Sequence, residues 1–266
     1  MKVGYYMQDD YGNVTLVNVS GIYDEQPLFI DKLKKGGAGV IDAVSMTGTN
    51  GYCDDMAKEN FREMMKEYPT KGIHFIDGGN YHYLTLLWLS LIEEPFDLIV
   101  FDNHSDMQKP AFGDVLSCGG WIRNLVEDSG FKGKVTVVGV DKDNIDKEMK
   151  ELGVKFITKQ TILKKRGQQY GLENELIDKC WTGKRPVYIS VDKDVLDEKE
   201  YKTNWNQGIM SVDELFAIIE DTFEMRKVIG MDICGEMDEA VNSEFGSIYN
   251  EINQAVNMRF LKFRIS

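Results

Sequence analysis

The sequence predicts a three-layer α/β/α sandwich built on a largely parallel central sheet. Three observations predict it. Short apolar runs of strand length alternate with helical stretches along the chain. The polar runs 77–82, 102–106, 192–194 and 232–236 each stand where an apolar run ends, and that edge is where sheets of this kind carry their sites. The chain has 266 residues, only five prolines and no Ser/Pro/Gly-rich tract, so 1–266 is expected to form one domain.

Taken in order, Lys2–Met7 is expected as a first strand and Gly39–Ser45 as a second, with Ile30–Lys35 between them unassigned. Asp54 and Asp55 can cap a helix within 50–68, whose apolar stripe is Met56, Phe61, Met64 and Met65. Ile73–Ile76 reads as a short strand, and Gly78-Gly79 permits a tight turn out of it. Tyr83–Ile92 is apolar nearly all round, as a helix buried on several sides would be. The run 98–101 is a buried strand, 103–117 a loop, and 119–127 a helix. Strands are expected at 134–140 and 154–158, with helices at 143–152 and 172–180. Pro186–Val191 is a strand. Ser211 and Glu214 form a capping box for a helix to about Phe223. Lys227–Cys234 is the last strand, and 247–263 the closing helix.

The composition is 42% hydrophobic and 28% charged, as in an ordinary globular protein. The net charge of −13 disfavours nucleic acid and anionic membranes as partners. It suits a cationic substrate or divalent metals, although mild acidity also serves solubility. The four cysteines form no CxxC pair, the N-terminus has no apolar signal core, and no stretch reaches ~18 apolar residues. A cytoplasmic protein with reduced thiols is expected.

The chemistry concentrates in Asp102-Asn103-His104-Ser105-Asp106. If the strand stays extended, Asp102, His104 and Asp106 point the same way. Carboxylate oxygen with imidazole nitrogen suits Mn, Zn or Fe(II) better than Ca or Mg. Asp192 and Asp194 repeat the device on another strand end, and Lys193 points away. His82, after the Gly-Gly turn, supplies a second imidazole, whereas His74 is expected to be packed or capping. These six side chains are too many for one ion with an open position. Two ions sharing Asp102 and Asp192 accommodate them, and two metals about 3.5–4 Å apart can hold a bridging hydroxide. Asp106 could orient that hydroxide. Glu236 could grip a cationic fork such as a guanidinium, or be an exposed loop residue. Cys118 could border the pocket or serve as a small buried hydrophobe. No GxSxG, Walker or GxGxxG motif is present.

These motifs resemble those of the ureohydrolase (arginase and agmatinase) superfamily. Asp102–Asp106 matches its DAHxD motif with Asn for Ala, and Ser190–Asp194 matches SxDxD. The segment 230–236 resembles the strand that presents its substrate-gripping glutamate. There are departures. The first motif reads Gly78-Gly79-Asn80-Tyr81-His82, with the histidine one place late. The region 117–121 lacks the family's shuttle histidine, and the proline after SxDxD is absent.

The resemblance implies an arginase/deacetylase-like fold and a dinuclear centre, with manganese as the metal. His82 and Asp106 would complete one ion, and His104 and Asp194 the other. Asp106 would act in catalysis and Glu236 would bind substrate. The implied reaction is attack of a metal-bridging hydroxide on the guanidinium carbon of arginine or a related guanidino compound, free or within a peptide. The alternatives are a single-zinc deacylase or amidohydrolase on the same fold, and a non-catalytic metal-binding protein. The expected partner is a small guanidino substrate, with a homo-oligomer left open.

Overall fold

The computed structural model describes residues 10–110, 113–128, 130–167, 171–238 and 246–265. The strand expected at Lys2–Met7 lies outside them. Among the described residues, eight parallel strands form one sheet. They are β1 (Val14–Asn18), β2 (Gly39–Asp42), β4 (Ile73–Phe75), β5 (Asp97–Phe101), β7 (Val135–Val138), β8 (Lys155–Ile157), β9 (Val187–Asp192) and β10 (Val228–Cys234), in the order β2-β1-β4-β10-β9-β5-β7-β8. A separate antiparallel ribbon pairs β3 (Tyr52–Cys53) with β6 (Leu116–Ser117).

The side-chain period of two distributes the strands between two cores. Val14, Leu16, Ile73, Phe75, Ile99, Phe101, Ile189, Met231 and Ile233 face one layer. There they meet α1 (Pro27–Lys35), α6 (Lys159–Lys165), α7 (Gly171–Leu176), α8 (Val212–Met225) and α9 (Gly246–Phe260). Val17, Leu98, Val100, Val135, Val137, Tyr188 and Ile229 face the other. That layer holds α2 (Asp55–Met65), α3 (Leu84–Leu89), α4 (Trp121–Glu127) and α5 (Lys147–Glu151). The three-layer sandwich is the one the sequence predicts.

Local chemistry explains the boundaries. Asp54 caps α2 by accepting from Ala57 N at 2.8 Å. Ser211 and Glu214 form the reciprocal capping box of α8. The helix expected over 143–152 is divided, because Asp141 caps a 3-10 turn and Asp146 caps α5 five residues later. Beyond α7 the chain continues as a π turn, Ile177–Trp181. The strand β1 was not anticipated, yet it lies inside the sheet between β2 and β4. His74 is packing: it stacks on Trp88 with centroids 4.0 Å apart, and burial pushes its imidazole down to about 4.

At the sheet edge opposite the polar runs, Asp97 opens β5. Its Oδ2 accepts from Arg226 Nη2 at 2.9 Å and its Oδ1 from Lys134 N at 3.0 Å. Arg226 also donates to the Arg185 carbonyl at 2.7 Å. This buried pair ties the starts of β5, β9 and β10 together. Replacing Arg226 by Met strands the Asp97 charge, and removing one partner of a buried pair costs about 3–5 kcal/mol. Urea unfolding of R226M should show that loss with metal affinity unchanged. A loss below about 1 kcal/mol would show that the pair does not clamp the edge.

Candidate metal centre

The structure gathers His82, Asp102, His104, Asp106, Asp192 and Asp194 at the C-terminal edge of β9 and β5. The means differ from a simply extended strand. Asp102 Oδ1 accepts from His104 N at 2.6 Å, and Asp192 Oδ1 accepts from Asp194 N at 2.9 Å. Each is an Asp turn closed two residues on, which bends the motif back over the strand end. Asn103 N then donates to Asp194 Oδ1 at 3.0 Å, joining the two turns. Asp106 takes the left-handed region with φ 48°.

His82 reaches the centre from the 3-10 turn Gly79–Tyr81. Its Nε2 pairs with Ser190 Oγ at 2.9 Å, and Ser190 Oγ donates to Asp232 Oδ1 at 2.6 Å. These contacts fix the ring, and Nδ1 is left facing the carboxylates. It lies 2.9 Å from Asp106 Oδ2, 3.3 Å from Asp102 Oδ2 and 3.6 Å from Asp192 Oδ2. No hydrogen bond is aligned on this fully buried nitrogen, nor on Asp102 Oδ2. Two orphaned buried donor atoms facing each other are what a cation site leaves when the cation is not counted. His104 Nδ1 lies 2.7 Å from Asp194 Oδ2 and 3.6 Å from Asp102 Oδ1. Among the described residues, three donor groups are close enough to hold an ion: His82–Asp102–Asp106, Asp102–His104–Asp194, and His82–Asp192–Cys234.

Burial is the main reason that the Asp192 and Asp194 carboxyls are raised, with neighbouring negative charge adding to it. Burial opposes protonation of His104, but Asp102 and Asp194 outweigh it and push the imidazole up to about 12. For His82, burial likewise opposes protonation, but its neighbours Cys234, Asp102 and Asp106 outweigh it and raise the imidazole well above the usual histidine range.

The turn before His82 is braced from β1. Asp77, at φ 72°, accepts from Val19 N at 2.8 Å and Ser20 N at 2.9 Å through Oδ2, and from Ser20 Oγ at 2.7 Å through Oδ1. Asp77 and Asp106 are the positive-φ non-glycine residues among those described. Both flank the centre, where stored backbone strain commonly sits.

The structure does not bring Glu236 into the pocket. Period two would place Glu236 on the face of Asp232 and Cys234, but Gly235 at φ 86° turns the chain over. Its carboxylate is fully buried on the opposite side. There it pairs with Lys193 Nζ and accepts from Asn257 Nδ2 at 2.7 Å and Gln26 Nε2 at 2.8 Å. Sequence reasoning also missed Trp121, whose Nε1 donates to Asp106 Oδ2 at 2.6 Å and whose ring lies 4.9 Å from His82. It occupies the region noted for lacking a histidine. Cys234 looked like the apolar end of a strand.

A pocket of about 280 Å³ opens onto His104, Asp106, Asp192 and Asp194. Its wall is the β3–β6 ribbon with Asn50, Asn80, Gln108 and Trp205, and Cys118 lines it too. Trp205 Nε1 donates to Asn80 Oδ1 at 3.1 Å, and Asn80 Nδ2 donates to Asn50 Oδ1 at 2.9 Å, forming a rim of neutral amides.

A metal competes with protons for the raised imidazoles and carboxyls, so its affinity rises with pH. Lowering pH from about 8 to 6 should weaken Mn(II) or Zn(II) binding about tenfold per unit for each proton displaced. Calorimetric titration in buffers of different ionisation enthalpy measures both the slope and the protons released. A flat profile would contradict this sign.

The arginase family model matches residues 32–237 of the chain. An uncharacterised protein of Thermotoga maritima is 30% identical over 227 residues, spanning 85% of this chain and 80% of that protein. The fold is similar to that of formimidoylglutamase from Bacillus subtilis, with TM-score 0.66, 15% identity, and coverage of 99% of this chain and 96% of that one. It is also similar to proclavaminate amidino hydrolase from Streptomyces clavuligerus, with TM-score 0.67, 18% identity, and coverage of 94% and 90%. A third similar structure is Trypanosoma cruzi formiminoglutamase with Mn2+, with TM-score 0.66, 14% identity, and coverage of 98% and 97%. By its matched span and its motifs, the chain belongs to the arginase family.

Proposed function

We propose that this protein hydrolyses a carbon–nitrogen bond of a small guanidino or amidino compound at a pair of divalent metal ions. One observation carries the reading: Asp102 turns one oxygen towards His82 and the other towards His104, so two donor groups share one carboxylate. His82, Asp102, Asp106 and Asp192 would hold one ion, and Asp102, His104, Asp192 and Asp194 the other. The oxygen-rich donor set fits Mn(II), the ion named with the Trypanosoma structure. Bound there, such ions supply Lewis acidity and make water a nucleophile near neutral pH.

The chain's own residues do the rest. Asp106, held by Trp121 through Oδ2, orients the attacking water and accepts its proton. Ser190 and Asp232 hold His82 in one tautomer, as outer partners of metal-binding histidines commonly do. The neutral amides of Asn50, Asn80 and Gln108 orient the substrate's tail. Glu236, satisfied within the protein, braces the Asp192–Asp194 turn through Lys193 rather than gripping the substrate.

Metal content per chain and product release test this together. Chelation should abolish turnover on a panel of guanidino, amidino and formimino compounds, and Mn(II) should restore it. Asp106→Asn should lower kcat by roughly 10²–10⁴-fold. One zinc per chain with amide hydrolysis, or full occupancy without any turnover, would overturn the reading.

Glu236→Gln separates the two roles of that residue. It leaves Lys193 without its counter-charge, so a stability loss of about 3–5 kcal/mol in urea unfolding is expected, with KM little changed. A raised KM at unchanged stability would return Glu236 to the substrate.

A further inference from the structure

The third donor group near the centre includes a residue to which the sequence motifs assign no role. Cys234 ends β10, is fully buried, and has its Sγ 3.3 Å from Asp192 Oδ2. Its sulfur, an Asp192 oxygen and a His82 nitrogen all lie within 4.8 Å of one another. A second observation points to the same place. His82 Nδ1 and Asp102 Oδ2 are both without a hydrogen-bond partner, and both residues are 1% exposed. Cys234, His82 and Asp192 thus form one buried donor group that shares His82 with the Asp102–Asp106 group, and neither His82 nor Cys234 lines the pocket. Metal–sulfur and metal–oxygen bonds of ~2.3 and ~2.1 Å allow two ligands of one ion to stand 3.3 Å apart.

Resting on the dinuclear reading above, we propose that Cys234 is a thiolate ligand of the deeper metal position. The donor set there is then nitrogen, oxygen and sulfur, while the outer position keeps nitrogen and oxygen only. Sulfur shifts preference from manganese towards zinc or another thiophilic ion, so the two positions differ in metal selectivity. Ligation breaks the S–H bond and forms a metal–sulfur bond. The thiol proton, which now faces Asp192, is released to solvent as the ion enters. No oxidation state changes. A coordinating thiol is deprotonated by the cation's own charge.

The test uses the full chain, stripped of metal and titrated with Co(II), alongside Cys234→Ser and Cys234→Ala. The wild type should show visible d–d bands together with a near-ultraviolet sulfur-to-cobalt charge-transfer band. Either variant should keep the d–d bands and lose the charge-transfer band. The Zn(II)-over-Mn(II) preference of the deeper site should fall at least tenfold in the variants. X-ray absorption at the zinc edge of the wild type filled with two zinc ions should show about half a sulfur scatterer per zinc, one sulfur over two ions, a readout independent of whether the variants fold. Wild-type d–d bands without charge transfer would mean that Cys234 only donates a hydrogen bond to Asp192, overturning the proposal while the metal centre stands. A charge-transfer band that survives in the variants would assign the sulfur elsewhere and also overturn it. No cobalt binding at all would remove the centre itself.

Discussion

The divided carboxylate of Asp102 is the contact on which the centre depends. One oxygen faces His82 and the other faces His104. Around it stand Asp106, Asp192 and Asp194, all buried and all acidic. Such crowding is unfavourable unless cations or protons neutralise it. The fold holds the group by means that do not depend on a ligand. Asp turns fold two motifs back on themselves, and Asn103 N links one to the other. Asp77 fastens the histidine turn to the end of β1. The left-handed backbones of Asp77 and Asp106 each store strain of about 1–3 kcal/mol, which the surrounding hydrogen bonds must over-determine.

The parallel sheet separates stability from chemistry. The buried Asp97–Arg226 pair closes the edge where strands begin, and the acidic cluster occupies the edge where they end. The inner pair, Lys193 with Glu236, lies at the acidic edge, just past the ends of β9 and β10. It is fully buried and satisfied by Asn257 and Gln26. Its place directly between Asp192 and Asp194 in sequence puts a cation across the chain from two anions. The same turn therefore presents acid to the pocket and base to the core.

Much of this was legible in the chain. Apolar runs ending in Asp and His marked the strand ends, because period two and charge leave few other readings. The capping box at Ser211 located α8, since its hydrogen bonds are local. What local pattern could not show was long-range. β1 has a polar threonine and asparagine among its apolar residues, which weaken its strand pattern although Gly12-Asn13 and Ser20-Gly21 bracket it, and its role appears only when Asp77 reaches Val19 and Ser20. Glu236 continued the alternation of β10 on paper, and one glycine with positive φ reversed its face. Cys234 carried no motif, so its closeness to Asp192 is a product of strand pairing between β9 and β10.

The pocket wall is a different object from the pocket floor. The floor hangs from the main sheet, whereas the wall includes a ribbon of two residues on each side, Tyr52–Cys53 against Leu116–Ser117, with its own ladder. That ribbon joins two loops far apart in sequence and shares no strand with the sheet that carries the candidate ligands. Wall and floor are nevertheless tied at two points: Trp121, which follows β6, donates to Asp106, and Asn80, two residues before His82, bonds Asn50 of the rim. A change in the ribbon is therefore transmitted to the ligands through these two bonds, and the shape of the opening and the posture of the centre are set together.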